Sequence, residues 1–283
     1  MPTSATLSAA SHDVVWALVA DQNLYRSIDQ GRTWHQRSLP QFVGKPEISF
    51  VSENDGWLSA VGSPETQCRT QSVQLWHTTD AGASWQLLSA KGMSVAQCKA
   101  GLSFTDSTHG FLGAYDDDHP PVIYFTSDAG RTWKASRALS DPPGFTSQQA
   151  GGELTAERVR SFGSVLLVPV WGNQSGEGFK SVFMSNDGGV TWRYDAELPN
   201  SGGTVVFVTA ARWLQLIVPG QSTETTDGGR TWHPSSSDYG QAAPIAPEVD
   251  FADSQVGYAT VRGSIQVTVD GGQHWRSIKT PGT

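Results

Sequence analysis

The sequence predicts an all-β protein: a six-bladed β-propeller of four-stranded antiparallel blades. Three observations lead to this fold class. The chain has 283 residues with 30 Gly and 15 Pro, which is typical of many short strands joined by tight turns. One eight-residue frame recurs six times at intervals of 40 to 59 residues, about the length of a propeller blade. A second pattern upstream of several copies supplies further strands.

The recurrent frame reads Ser/Thr-x-Asp-x-Gly-x-x-Trp, as in Thr225 to Trp232. The Asp can accept hydrogen bonds from turn N–H groups, the Gly suits positive φ, and the Trp buries a large ring. Because six equivalent turns repeat it, we expect a structural turn rather than a catalytic or calcium site. The frame resembles the Asp-box, or BNR repeat, of sialidases, sortilin-like receptors and some glucanases. Its key residues are Asp29, Gly31, Trp34, Asp80, Gly82, Trp85, Asp128, Gly130, Trp133, Asp187, Gly189, Trp192, Asp227, Gly229, Trp232, Asp270, Gly272 and Trp275.

The second pattern reads as a strand, a polar turn, Gly-aromatic and another strand. It covers residues 48–58, 102–112 and 249–259. With the strands before and after each Asp-box, it gives four strands per blade. The predicted blades span approximately 5–38, 47–89, 102–137, 153–196, 204–235 and 248–279 in a single domain.

The strands within each blade follow from these repeats. Blade 1 has the least clear first strand. The predicted strands are 5–9, 14–19, 23–27 and 34–38; 47–51, 57–61, 74–78 and 85–89; 102–105, 111–115, 122–126 and 133–137; 153–157, 164–170, 180–185 and 192–196; 204–208, 213–218, 222–225 and 232–235; and 248–252, 257–261, 264–268 and 275–279.

The long interval between Asp128 and Asp187 makes a seven-bladed ring the alternative. The surplus over the other blades is too short for four strands. We therefore place it in loops around residues 140–152 and 172–178. Since the chain starts with an innermost strand and ends with an outermost one, ring closure should depend on packing between blades 1 and 6.

The predicted order of strands also sorts the connections. In an up-and-down blade, the 1–2 and 3–4 connections emerge on one face, which we call the Asp-box face. The 2–3 and 4–1 connections emerge on the other, the loop face. The loop face has the longer and more varied segments, and function commonly resides in such loops. Its candidate contact residues are Arg69, Tyr115, Trp171, Asn173, Phe179 and Tyr239.

The two cysteines, Cys68 and Cys98, both fall in loop-face connections. We predict a disulfide between them, which indicates an oxidising compartment; two buried free thiols are the alternative. We expect an extracytoplasmic protein, whether periplasmic, lumenal or secreted. No signal peptide or apolar span is visible, so its targeting segment should lie outside this sequence.

The net charge of −8 argues against a nucleic-acid partner or an anionic membrane surface. We expect no membrane insertion, no cofactor and a monomer. Asp116 and Asp118, the first and last of three consecutive Asp residues, are a weak candidate calcium site, with a solvated acidic turn as the alternative.

Sialidase chemistry is the natural enzymatic hypothesis for an Asp-box chain. Resemblance to that family implies an arginine cluster with the first Arg in an Arg-Ile-Pro context. Arg26 and Arg37 are the nearby arginines, and no Arg-Ile-Pro occurs. The sequence leaves open the hypothesis of a carboxylate pair that cleaves glycosides. Its candidate acids lie in or beside loop-face segments: Glu153, Glu157, Glu177 and Asp238.

Across nearly its whole length the chain resembles the photosystem II assembly factor family and its bacterial relatives. The resemblance rests on Phe-x-Asp-x-x-x-Gly-aromatic followed by the Asp-box. It implies a non-catalytic binding or assembly scaffold with a protein partner or a glycan on the loop face. That family is typically seven-bladed with an arginine-rich face, so no photosystem partner is implied. The alternative function is a glycan-binding or sialidase-like propeller.

Overall fold

The computed structural model describes residues 4–62, 68, 70–116, 119–146, 153–174, 176–217, 221–240, 247–261 and 263–282. Every element of these residues is a strand, and the strands form six antiparallel sheets in a ring. The chain is therefore a six-bladed β-propeller, and the seven-bladed alternative is wrong.

Each blade uses consecutive strands, with the first strand innermost. The strands are β1 Ala5–Ser11, β2 Val14–Val19, β3 Asn23–Ser27 and β4 His35–Arg37 in blade 1; β5 Lys45–Phe50, β6 Gly56–Val61, β7 Val73–Thr78 and β8 Gln86–Leu88 in blade 2; β9 Cys98–Phe104, β10 Gly110–Tyr115, β11 Val122–Thr126 and β12 Lys134–Ala135 in blade 3; β13 Glu153–Ala156, β14 Arg160–Phe162, β15 Val165–Gln174, β16 Glu177–Ser185 and β17 Arg193–Glu197 in blade 4; β18 Thr204–Phe207, β19 Trp213–Leu216, β20 Thr223–Thr225 and β21 His233–Pro234 in blade 5; and β22 Val249–Phe251, β23 Gly257–Val261, β24 Ser264–Thr268 and β25 Arg276–Ile278 in blade 6.

Blade 4 departs from the predicted layout. The segment 172–178, expected as a loop, is the end of a long hairpin in which β15 and β16 remain paired up to Gln174 and Glu177. The innermost strand is divided into β13 and β14, which both pair with β15. The surplus residues therefore lengthen paired strands as well as the connection before the blade.

The Gly-aromatic pattern has a packing explanation. In blade 3, Gly110 lies directly opposite Phe104, and a Cβ atom at Gly110 would come within 2.5 Å of that ring. Blades 2 and 6 repeat the pairing with Phe50 and Gly56, and with Phe251 and Gly257. The Phe ring thus occupies space that only Gly leaves free.

Neighbouring blades are joined by stacked rings and by serine hydroxyls. Trp16 of blade 1 stacks on Phe50 of blade 2 at 3.7 Å, and Trp57 stacks on Phe104 at 3.6 Å. In the innermost strands, the Ser8 Oγ accepts from the Phe50 N–H at 2.8 Å. Ser49 accepts from Phe104 at 2.8 Å and Ser103 from Val159 at 3.0 Å in the same way.

Ring closure uses the same position with a different residue. At the equivalent place in blade 6, the Asp250 carboxylate accepts from the Ala9 N–H of blade 1 at 2.7 Å. A shared apolar cluster surrounds this junction and includes Leu7, Val15, Tyr258 and Ile265. Blades 1 and 6 therefore close the ring by packing, without sharing a sheet.

Cys68 and Cys98 form a disulfide, with Cα atoms 4.8 Å apart. This confirms the predicted pairing. The bridge joins the 2–3 connection of blade 2 to the first strand of blade 3 on the loop face. For a separation of 30 residues, the chain-entropy model gives a stabilisation of roughly 3 to 4 kcal/mol.

Candidate binding site at the central channel

The Asp-box carboxylates are used within their own turns. In the first copy, the Asp29 Oδ1 accepts from the Ser27 hydroxyl at 2.8 Å and from the Thr33 N–H at 2.8 Å. The Oδ2 accepts from the Thr33 hydroxyl at 2.7 Å, while the Gly31 N–H donates to Ser27 at 2.8 Å. The other copies repeat this scheme, with Ser84 or His274 in place of Thr in two of them.

These hydrogen bonds stabilise the charged form of the carboxylates. Bonds from Ser84 hold the pKa of Asp80 at about 2, and bonds from Thr191 hold the pKa of Asp187 at about 2. The Asp-box aspartates are thus ionised and hydrogen-bonded at neutral pH, which leaves them poorly suited to general acid chemistry.

The Asp-box tryptophans have three kinds of environment. The indoles of Trp133 and Trp192 are buried and donate to the Gly of their own turn, at 2.9 and 3.1 Å. Trp275 donates both to its own Gly272 and to the Ser237 hydroxyl. Two other indoles donate to a neighbouring blade: Trp34 to the Lys279 carbonyl and Trp85 to the Ser38 carbonyl. The Trp232 Nε1 has no hydrogen-bond partner among the described residues.

A cavity of about 420 Å³ lies at the centre of the ring, lined by the innermost strands of all six blades. We call it the central channel. Lys45, Gly203 and Pro247, at or before the starts of three of these strands, line its loop-face end. Phe50 and Phe104 line the opposite end. The polar, accessible end of the channel therefore opens toward the loop face.

Ionised side chains cross the channel and join distant blades. Arg158 of blade 4 donates to the Leu7 carbonyl of blade 1 at 2.8 Å. Arg160 pairs with Asp250 of blade 6 at 2.9 Å and also donates to the Phe251 carbonyl. Arg158 directly precedes Val159, whose N–H donates to Ser103, just as Ser49 precedes Phe50 and Ser103 precedes Phe104 in the bonds between the earlier blades. Blade 4 thus replaces a short hydroxyl with a side chain long enough to span the ring.

One further ion pair and one carboxylate bonded to the backbone line the same channel. Lys180 is buried and pairs with Glu157 at 2.8 Å. Glu47 accepts from the Leu102 N–H at 2.7 Å, which joins blade 2 to blade 3. Most of the channel's charges therefore stabilise contacts between strands.

The electrostatics of the channel centre on Arg158 and Glu248. Burial opposes ionisation of Arg158, but the carboxylates of Glu248, Glu47, Asp250 and Glu157 outweigh it and raise the pKa of the guanidinium. Enclosure by protein raises the pKa of Glu248 despite the opposing effect of Arg158. Water still reaches the Glu248 side chain, since it lines the channel. This carboxyl is therefore easier to protonate than an ordinary Glu side chain.

The sequence-predicted contact residues do not form one site. Tyr115 ends β10, and Trp171 lies partly buried on β15, where its cross-strand neighbour is Lys180. The Asn173 Oδ1 accepts from the Gly176 N–H at 3.0 Å. Phe179 packs against Phe145, with centroids 4.9 Å apart. Tyr239 is buried and its hydroxyl donates to the Thr260 carbonyl at 2.8 Å, which makes it a packing residue. Arg69 lies outside the described residues.

Of the two candidate calcium ligands, Asp118 lies outside the described residues. The Asp116 carboxylate accepts from the His119 N–H at 2.6 Å and contacts its ring at 2.9 Å. In the part of the chain that the structure describes, no group of three His, Cys, Asp or Glu side chains is arranged to hold a metal ion. The same residues contain no helix that could span a membrane.

The sequence-predicted acids lie in different surroundings. Glu157 lines the channel, whereas Glu177 and Asp238 do not. The Asp238 carboxylate accepts from the Trp275 N–H at 2.8 Å, and Glu153 accepts from the Thr155 hydroxyl at 3.3 Å.

Sequence reasoning missed Arg158, Arg160, Lys180, Glu47, Glu248 and Asp250. A signal was present, because aligning the innermost strands shows Arg-Val-Arg where blades 1 to 3 have Ser followed by an apolar residue. Arg26 and Arg37, the arginines considered for sialidase chemistry, lie instead on the outer strands β3 and β4.

The fold and its channel define the class of this chain, a six-bladed β-propeller with a central cavity. The family model described as Sortilin-Vps10 (Sortilin, neurotensin receptor 3) matches residues 3–108. A search of curated proteins finds no match.

Solved structures match over nearly the whole chain. YCF48 from Cyanidioschyzon merolae is 17% identical, with 98% of this chain and 86% of that chain covered and a TM-score of 0.53. An α-L-arabinofuranosidase mutant from Fusarium graminearum is 11% identical, with coverage of 94% and 88% and a TM-score of 0.58. Trypanosoma rangeli sialidase is 16% identical with a TM-score of 0.58, and the match covers 89% of this chain and 50% of the sialidase. At such identities the likeness concerns the fold, and one fold serves many functions.

Proposed function

We propose that this protein is a non-catalytic binding scaffold that acts outside the cytoplasm and holds a protein partner on its loop face. The observation that carries this proposal is the use of the channel's charged groups. Arg160, Lys180 and Glu47 are bonded to neighbouring strands, so they maintain the ring rather than converge on a reacting atom. The Asp-box carboxylates are likewise used inside their turns.

The surroundings of the channel mouth support a protein partner. Lys45 is exposed at the mouth and Glu248 lies within reach of water, so charges of both signs face an incoming surface. Such mixed polar surfaces give specificity and orientation in protein recognition. The disulfide supports an oxidising compartment, and hence a periplasmic, lumenal or secreted location. We further propose that the protein is monomeric and binds no nucleic acid, in keeping with its net charge of −8.

A glycan-directed function is the second candidate, and two observations favour it. Glu248 has a raised pKa and lies in a channel with other carboxylates, which is the setting of a general acid. Trp171 is partly exposed beside Lys180, where its ring could stack on a sugar.

A panel of chromogenic glycosides that includes sialosides and arabinofuranosides separates the two functions. We expect the wild-type protein to turn over none of them faster than the Glu248→Gln and Glu157→Gln variants do. The Glu53→Gln variant serves as a matched control, since Glu53 lies in a 1–2 turn on the Asp-box face. Turnover by the wild type and the control that is lost in Glu248→Gln would overturn the non-catalytic proposal.

A further inference from the structure

A second concavity, of about 540 Å³, lies on the loop face at blade 4. We call it the blade-4 pocket. Among the described residues, it shares no lining residue with the central channel. Ser181 lines the blade-4 pocket, whereas its neighbour Lys180 pairs with Glu157 in the channel. The residues that give it its chemical character are Phe145, Phe179, Ser181, Tyr194, Glu177 and Glu197.

Strand register places these side chains together. Phe179, Ser181 and Phe183 alternate along β16 and therefore share one face of the sheet. Across the ladder, Glu197 lies opposite Ser181 and Tyr194 lies opposite Phe183. The connection before blade 4 adds Phe145, whose ring packs on Phe179 with a centroid distance of 4.9 Å.

The Ser181 hydroxyl is an unexplained polar group in this pocket. Its side chain is 1% exposed, and its Oγ has no hydrogen-bond partner among the described residues. Buried hydroxyls are normally paired, so the free acceptor and donor capacity of Ser181 distinguishes this pocket as a place for a polar partner.

The charge of the pocket is negative. Glu177 and Glu197 are exposed carboxylates that form no ion pair with any residue that the structure describes. The pKa of Tyr194 is raised by burial and by the carboxylates of Glu197 and Asp195. The nearby Arg193 is engaged with Asp195 at 3.5 Å, and so it leaves the two glutamates without compensation.

We propose that the blade-4 pocket binds a lysine or arginine side chain of the protein partner. This inference rests on the proposed scaffold function. Aromatic rings attract a cation and carboxylates pair with it, while the Ser181 oxygen can accept from its N–H groups. A neutral sugar would also stack on the rings but would leave both carboxylates without a counter-charge.

The test is an NMR titration of the intact protein with N-acetyl-arginine amide at low salt. We expect roughly millimolar binding, as befits a single side chain. The neutral isostere N-acetyl-citrulline amide should bind at least about tenfold more weakly. The Glu177→Gln/Glu197→Gln double variant should lose a similar factor. The control Glu53→Gln, on the Asp-box face, should bind like the wild type.

A Ser181→Ala variant separates ligand binding from a structural role. It should bind the arginine probe more weakly with no loss of thermal stability, because no intramolecular hydrogen bond is removed. Equal binding of arginine and citrulline probes, tighter binding of a methyl glycoside, or unchanged binding by the double variant would overturn the inference.

Failure of this inference and failure of the scaffold function give different results. If the double variant still captures the protein partner with unchanged affinity, the pocket is not its anchor and the scaffold function stands. Glycoside turnover by the wild type would instead contradict the scaffold function itself.

Discussion

A single carboxylate organises each 3–4 turn of the propeller. It accepts from the hydroxyl two residues before it and from the N–H four residues after it, as Asp128 does with Thr126 and Thr132. Bonds to a charged acceptor contribute about 1.5 to 3 kcal/mol each when shielded from water, and less at an exposed turn. The Asp therefore fixes the turn, and the following Trp is positioned to pack.

This arrangement predicts a dependence of stability on pH. The pKa of Asp80 and of Asp187 is about 2 in the folded protein, against an ordinary value of 3.8 for an Asp side chain. A lowered folded-state pKa means that the carboxylate stabilises the fold above about pH 4, and that this contribution is lost as the pH falls toward about 2. We expect the urea midpoint of wild-type unfolding to fall over that pH interval. In the Asp80→Asn/Asp187→Asn double variant, the midpoint should be lower at pH 7 and should depend less on pH between about 4 and 2.

The matched control for this experiment is again Glu53→Gln, whose acid-range profile should follow the wild type. If the double variant kept the full acid slope, the Asp-box carboxylates would not be the groups that titrate.

Within each Asp-box turn, the sequence predicted the roles of the Asp, Gly and Trp residues but not all of the side-chain hydrogen bonds. The first position of the frame is Ser or Thr in all six copies and the seventh in five, because both hydroxyls donate to the Asp carboxylate of the same turn, as Ser27 and Thr33 do to Asp29. His274 fills the seventh position of the last copy, and its ring contacts Asp270 at 2.7 Å. A one-letter frame shows such residues but not that their side chains complete the turn.

The paired strands of each blade depend on the Phe and Gly that face each other. Substitution Gly110→Ala would place a methyl group 2.5 Å from the Phe104 ring. Phe104 is held between Trp57 and Trp133, so it has little room to move. We expect a loss of about 1 to 3 kcal/mol in the free energy of unfolding, typical of overpacking. Chemical denaturation measures it.

Gly240→Ala is the control for that substitution, because the nearest atom to its Cβ position is 3.8 Å away. It should leave stability close to that of the wild type. Equal stability of Gly110→Ala and Gly240→Ala would show that the Phe–Gly pairing is not required.

Strand positions were largely predictable because the repeats mark both ends of each hairpin. Blade 4 was the exception. Its β15 and β16 stay paired up to Gln174 and Glu177 although Gly172, Gly176 and Gly178 read as loop residues. The reason is partly visible in the packing, since Phe179 covers Gly172 just as Phe104 covers Gly110. Some glycines of this chain therefore mark aromatic packing rather than a turn, as Gly110 and Gly172 do.

The closed ring brings these local features together around the central channel. Repeats indicated the number of blades and which face carries the Asp-boxes. They did not indicate the channel, because its charged residues occur once each and are brought together only when blades 1, 4 and 6 meet around it. Arg158 and Arg160 are adjacent in sequence to ordinary strand residues, and their reach across the ring exists only in three dimensions.

Position-specific photo-crosslinking tests most directly the claim that the loop face carries the partner. Exposed apolar side chains offer matched positions for p-benzoyl-phenylalanine on both faces. Val43 and Val95 are 79% and 58% exposed and lie in 4–1 connections, whereas Ile28 and Val269 are 46% and 49% exposed and lie in Asp-box turns. In cells that make the protein, we expect a discrete adduct with a partner protein from Val43 and Val95 and none from Ile28 and Val269. Adducts confined to Ile28 and Val269 would contradict the account.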